Sequence, residues 1–327
     1  MNPPDPDKTL DLSRLRMKSI HERGHKVAAS AVGRLTEPGC GFLEWLEAWP
    51  DFLGAAEFKQ TVAAVVAARR AGRPVAFAFG GHVVKTGCSP LVVDLIERGV
   101  ITAIATNGSG AIHDLELADT GATSEEVADT IRDGSFGMVR ETCQQMNRAA
   151  RDGASGVGLG RAVGDLIESG DAPHKRLSIM GAAARCNIPA SVHVAIGTDT
   201  VHMVAEADGA AIGQASMIDF RMIAGVVADM AAQPVGTAGG VWLNIGSAVI
   251  LPEVFLKAVS IAANLGHDLS AMHTANFDML RHYRPTQNVT LRPVAAGHGH
   301  QVIGHHEILL PLFRQAVLEG LKGRADS

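Results

Sequence analysis

From residue 74 onward, short runs that are apolar at almost every position alternate with longer stretches whose apolar residues recur every three or four positions. The short runs are PVAFAF (74–79), ITAIAT (101–106), PASVHVAIG (189–197), GGVWLNIG (239–246) and the middle of LSAMHTANFD (269–278). Runs without a polar face suit strands of a parallel sheet covered on both sides. The longer stretches predict helices. SPLVVDLIERG (89–99) has Ser89 to cap it, Pro90 at its first position and Gly99 at its end. A helix over 55–71 stops at Gly72, with a shorter one before it. Others are expected from AIHDLELA (111–118), over 123–134 behind a capping-box-like start, and over 136–153, 158–170 and 174–187. The rest cover 218–233, 251–267 and 305–323, the last with a break near Pro311. Strand and helix in alternation predict an α/β fold: a doubly wound, mostly parallel sheet of at least five strands, with helices on both faces. No linker or internal repeat divides it. One domain over 51–327 is expected, preceded by an N-terminal arm and helical extension over 1–50.

In that arm, NPPDPDK (2–8) reads as disordered. RLRMKSIHERGHKV (14–27) is basic, and is either a solvated tail or a segment that packs on a neighbour or reaches into a site. Composition narrows the class. The 327 residues are 46% hydrophobic, enough for a large core. A net charge of −5 and 4% aromatics argue against nucleic acid as a partner. Four cysteines form no CxxC pair, and the N-terminus carries no secretory pattern, so a reduced cytoplasmic protein is expected. No apolar run is read as reaching the ~20 residues that span a bilayer.

Chemistry is expected beyond the carboxyl ends of the strands, where open parallel sheets bind their ligands. Those ends carry GGHVVKTG (80–87), NGSGAIHD (107–114), TDTVHM (198–203), SAVILPE (247–253) and NFDMLRHYRP (276–285). The first two turns are glycine-rich and lead into helices. Free N–H groups there favour an anion such as a pyrophosphate, unless the glycines merely serve tight turns. GSGAIH is an incomplete GxGxxG, because His113 replaces its third glycine. Val84 before Lys85 excludes a Walker A loop, and no GxSxG is present. The tract GHGHQVIGHHE (297–307) offers either metal ligands or a polar pocket lining, with no zinc-like spacing. His298 and His300 would coordinate one ion together only on extended backbone. His113 and Asp114 point about 100° apart on a helix, so one faces a ligand and the other braces the turn. His113 is the preferred acid/base, the alternative being a histidine bonded to a carbonyl. Cys88 and Cys143 read as small core residues.

The order of these motifs resembles deoxyhypusine synthase and its relatives. There a strand leads to SNxxSSG, and TTAGGxEEDL, SPALTDGS, GGGVxKHH and NTAQEFD follow. Here the matching stretches are GHVVKTG, TNGSGAIHDL, SVHVAIGTDTVHM, NIGSAVILPE and HTANFD, over roughly 55–280. The resemblance implies a Rossmann-like domain that binds NAD between subunits of a tetramer. It carries NAD contacts onto Thr86, Asn107, Gly108, Ser109, Gly110, Asp199, Thr274 and Ala275, with the nicotinamide near Gly246 and Ser247. Departures are equally specific. The imine-forming lysine is answered by Ile250 or Leu251, and Lys257 lies well into the helix. The family's glutamate pair is answered by Ile112 and His113, and a site short of carboxylates should not favour a dication. The chain therefore reads as a divergent relative with a rebuilt pocket, not as a true deoxyhypusine synthase.

The function expected is NAD-dependent oxidation of a C–H next to an amine or hydroxyl of a small molecule, with or without return of the hydride after elimination or transfer. His113, His202 and Asp114 are the catalytic candidates, and Asp199 would orient a ribose or an imidazole. Arg281, Tyr283 and Arg284 would hold an anionic substrate, or else form a solvated loop. No metal ligand is assigned. The competing readings are a metal-dependent hydrolase or lyase using the histidine-rich C-terminal segment, and a non-catalytic NAD-binding sensor.

Overall fold

Along the first strand, Val75, Phe77 and Phe79 join one hydrophobic core, and Ala76 and Ala78 join another. The two-residue period of a strand sends alternate side chains to opposite faces. This strand therefore presents bulk to one layer of helices and methyl groups to the other. The next strand repeats the device with Ile104 on the first face and Ala103 and Ala105 on the second.

The computed structural model describes residues 9–323; the disorder expected for 2–8 lies outside them. Six strands form one sheet: β1 (Val75–Phe79), β2 (Ala103–Asn107), β3 (Ala190–His193), β4 (Val241–Ile245), β5 (His273–Asp278) and β6 (Gly299–Ile303). All pairings are parallel, in the order β3-β2-β1-β4-β5-β6. This is the strand order of a Rossmann sheet, and its direction reverses between β1 and β4. The longer helices are α1 (Leu53–Arg70), α2 (Ser89–Glu97), α3 (Gly108–Thr120), α4 (Arg140–Asp152), α5 (Leu159–Ser169), α6 (Ile179–Arg185), α7 (Gly209–Ala228), α8 (Ile250–Asn264) and α9 (His306–Lys322).

The bulky face packs on α1, α2 and α9 through Phe58, Val65, Leu95, Phe313 and Val317. The alanine face admits α7 and α8, whose Ile223, Val227, Leu251 and Phe255 fill the space that small strand residues leave. Trp242 of β4 stacks on Phe255 at 4.5 Å between ring centroids. Asp219 of α7 is buried against β3 and accepts the N–H groups of Gly160 and Val192, both at 2.8 Å. Burial pushes its carboxyl up to about 7, against those bonds.

The elements differ from expectation in several places. A sixth strand, β6, runs through the histidine-rich tract. The helix expected over 123–134 shrinks to the single turn Val127–Thr130, because that stretch has no apolar face to bury. The stretch 174–187 splits into a tight turn at Lys175–Leu177 and α6. Helix α7 starts at Gly209, well before the expected 218, and α9 runs on through Pro311. Length and composition would let α7 cross a membrane, contrary to the expectation of no such run. It packs against β3 and α8, with 33% of its most apolar window buried. Residues 9–30 are exposed throughout and form only isolated 3-10 turns.

Candidate functional site

The sheet reverses between β1 and β4, and there the two loops touch. Gly80 N–H donates to the Ile245 carbonyl at 3.0 Å, and a Cβ on Gly80 would overlap the carbonyl of Gly246. Gly246 itself has φ +62, in the left-handed region open to glycine. On the other side, a Cβ on Gly81 would stand 2.5 Å from Ser109 Oγ and 2.9 Å from His113 Cδ2. A continuous rim thus runs from Gly246 through Gly80 and Gly81 to Ser109 and His113.

Helix α3 starts directly at the end of β2. Asn107 caps it by accepting Gly110 N–H at 2.9 Å, so Gly108, Ser109 and Gly110 form its first turn, where a separate loop was expected. Gly108 and Gly110 already face protein. A Cβ on Gly108 would overlap the Asp199 carboxylate, and one on Gly110 would overlap the Thr106 hydroxyl. A side-chain carboxyl, its pKa raised by burial, therefore stands at the N-terminus of α3, where a pyrophosphate was expected. A diphosphate at that spot would have to displace it.

A cavity of about 630 Å³ opens beyond the rim, between α3, the segment 121–139, the start of α4 and the loop 198–200. Ser109, Ile112, His113, Glu116, Asp119 and Thr120 line it, the three-and-four spacing of one helical face. Five carboxylates reach its wall, from Glu116, Asp119, Glu125, Glu141 and Asp199, against the single lysine Lys85. The cavity is thus not short of carboxylates, as was expected from Ile112 and His113: Glu116 and Asp119 stand further along α3, and Glu125, Glu141 and Asp199 come from other segments.

His113 Nδ1 lies 2.7 Å from Thr123 Oγ1 and 3.7 Å from Glu116 Oε2. Thr123 donates its hydroxyl to Glu116 Oε2 at 2.5 Å, and Thr142 donates to Glu116 Oε1 at 3.1 Å. Burial alone would raise the Glu116 carboxyl; the bonds from His113, Thr123 and Thr142 outweigh it and hold it below the usual range. Asp119 accepts from Gln145 at 2.5 Å, and Glu125 accepts Gly137 N–H at 2.7 Å.

Several expected site residues lie elsewhere. Asp114 is fully buried and accepts from Ser178 Oγ, Ile179 N–H and Met180 N–H at 2.5, 2.7 and 2.9 Å. It braces the start of α6 and faces no ligand, which removes it from the catalytic set. His202 accepts Gly197 N–H at 3.2 Å and lies 3.9 Å from Asp199. It lines a small void behind Gly108, not the large cavity. Thr274 and Ala275 are fully buried in the amino half of β5, and Thr274 donates to the Val289 carbonyl at 2.7 Å. Neither reaches the carboxyl rim, which corrects their placement as cofactor contacts. Thr86 turns its hydroxyl back onto the His82 carbonyl at 3.0 Å. Ser247 is buried, its Oγ accepting Leu251 N–H at 3.3 Å.

Arg281, Tyr283 and Arg284 follow β5, across the reversal point from the cavity, and none lines it. Arg284 pairs with Glu253 at 3.2 Å, and Arg292 donates to the Tyr283 hydroxyl at 3.3 Å. The expected anion clamp is thus no part of the acidic cavity. His298, His273 and His300 stack in series at the amino end of β5 and β6, with ring centroids 4.1 and 5.6 Å apart. Glu57 anchors His300 at 3.1 Å, and among the described residues no three metal-binding side chains are arranged around one ion. Cys88 and Cys143 are buried, and burial raises both thiols. Sequence reasoning missed Thr123, Thr142 and Asp119 as cavity residues. The spacing of 109, 112, 113, 116, 119 and 120 was the available signal, while Thr142 reaches the site only through tertiary contact.

Strand order, rim and cavity together define a Rossmann-like α/β protein with a cavity beside its point of reversal. No protein-family model matches the sequence, and no curated protein does. Among solved structures, a conserved LOR/SDH protein from Methanococcus maripaludis S2 aligns over 82% of this chain and 70% of its own, at 16% identity and a TM-score of 0.51. AgrE in its ternary complex with ornithine and NAD+ aligns over 80% of this chain at 15% identity and a TM-score of 0.52. The chain spans only 32% of AgrE's length. At these identities the likeness establishes the fold, and the resemblance drawn from the motifs stands at that level.

Proposed function

We propose that the protein is an NAD-dependent enzyme that oxidises a C–H next to the amine of a small cationic substrate, with His113 taking the proton from nitrogen. The observation that carries this reading is the joining of the rim at the strand reversal to a cavity walled by five carboxylates and one histidine. Such a wall favours a cation, so an amine suits it better than a hydroxyl alone. Support for the cofactor comes from AgrE, which shares the fold and was crystallised with NAD+ and ornithine. NAD, when bound, supplies the hydride acceptor. The chain's own groups would hold the ligand: Asp199 suits a ribose hydroxyl, because a carboxylate accepts such bonds. Gly80, Gly81 and Gly246 let the turns of the rim close on their protein neighbours, and Gly81 brings Ser109 and His113 to its edge. A homo-oligomer, a tetramer by the family resemblance, and a cytoplasmic location belong to the same reading.

Calorimetry with NAD tests it. Saturable binding is expected in the full chain, with loss in Gly108→Val, whose side chain would displace Asp199 from the rim. A native mass spectrum should show an oligomer carrying dinucleotide. Absence of NAD binding by the wild-type protein would overturn the reading.

A further inference from the structure

We infer that Thr123 and Glu116 act as positioning residues that fix the tautomer of His113, holding the proton on Nδ1 so that Nε2 alone takes a proton from a ligand. Thr123 Oγ1 stands 2.5 Å from Glu116 Oε2 and 2.7 Å from His113 Nδ1. A hydroxyl has one proton, and an ionised carboxylate can only accept. A carboxyl is ionised near neutrality, and Glu116 receives a hydroxyl donor on each oxygen, from Thr123 and Thr142, in keeping with its lowered pKa. The Thr123 proton therefore goes to Glu116, and the second short contact must be donated by Nδ1–H. A neutral imidazole carries one N–H, so the lone pair is on Nε2.

The arrangement draws on three elements. His113 and Glu116 share the cavity face of α3, Thr123 belongs to the segment that roofs the cavity, and Thr142 in the first turn of α4 holds the other oxygen of Glu116 at 3.1 Å. Once Nε2 has taken a proton, the imidazolium faces the Glu116 carboxylate at 3.7 Å. The catalytic consequence rests on the function proposed above; the proton arrangement does not.

Long-range ¹H–¹⁵N correlation spectra of the full chain, labelled at histidine nitrogen and held where the rings are neutral, read the tautomer directly. The His113 signals are assigned by their loss in His113→Asn. The wild type should show Nδ1 protonated and Nε2 bare. Thr123→Val should lose that signature and shift toward Nε2–H, and Thr123→Ser should keep it. An Nε2–H tautomer in the wild type, or an unchanged Nδ1–H tautomer in Thr123→Val, would overturn the inference. The wild-type spectrum decides the matter even where a variant does not fold. Because no dinucleotide is added, failure here is distinct from failure of NAD to bind.

Discussion

His113 and Asp114 are adjacent on α3 and have opposite duties. One lines the cavity; the other is sealed in the interior, where it receives three hydrogen bonds at the start of α6. Burial pushes the Asp114 carboxyl up to about 6, while bonds from Ser178, Ile179 and Met180 oppose that rise. Removing it leaves two backbone N–H groups and a hydroxyl without their acceptor. Asp114→Ala should therefore cost on the order of 3 kcal/mol, read as a lower urea midpoint. The divergence of the two side chains was legible from helical geometry, since neighbours point about 100° apart. Which of them faces the cavity was not, because that depends on where α6 packs. Asp199 shows the same limit. Its place after β3 was legible, but its carboxylate meets Gly108 only because β2 and β3 are neighbours in the sheet.

At the scale of elements, the sheet works by unequal faces. Ala78 lies on the face that admits α7 and α8, flanked in register by Ala105 and Asn244. Ala78→Leu should force those helices outward and cost about 1–3 kcal/mol, seen as a lower urea midpoint at an unchanged slope. The fully buried strands were legible because their sequences are apolar on both faces. The edge strand β6 was not. Only His300 and Val302 are buried in it, Ile303 is exposed, and its glycine, glutamine and histidine content resembles a ligand tract. Segment 121–139 failed in the other direction. Its polar sequence passes for a helix, yet its only helix is one turn, and it is held over the cavity by Thr123 and by the Glu125–Gly137 bond.

For the whole molecule, the buried titratable groups set opposing responses to pH. His193, at the carboxyl end of β3, is held neutral by burial, which lowers its pKa to about 4 from 6.5. Its folded pKa lies below the unfolded one, so its contribution is complete above about 6.5 and is lost as the pH falls toward 4, roughly 3 kcal/mol in all. Asp114 and Asp219 run the other way. Their folded values are raised, so their contributions are present at low pH and fade as the pH rises through about 6 and about 7. The net curve mixes these trends, and a variant isolates one of them. His193→Phe should lose less stability than the wild type between pH 7 and pH 4.5, in urea titrations at matched salt. Equal losses would show that His193 is not held neutral in the folded protein.

Sequence by itself determined the layered α/β architecture, the glycine-rich strand ends and the candidacy of His113. Each follows from local rules: periodicity, capping and the freedom of a residue without a side chain. Only the tertiary structure decided the strand order, the contact of Gly80 with Gly246 and the acid wall drawn from α3, α4 and two loops. It also separated the arginines after β5 from that wall. The reason is physical: a cavity is made by residues distant in the chain, and their meeting depends on how helices pack across a sheet, which no local pattern encodes.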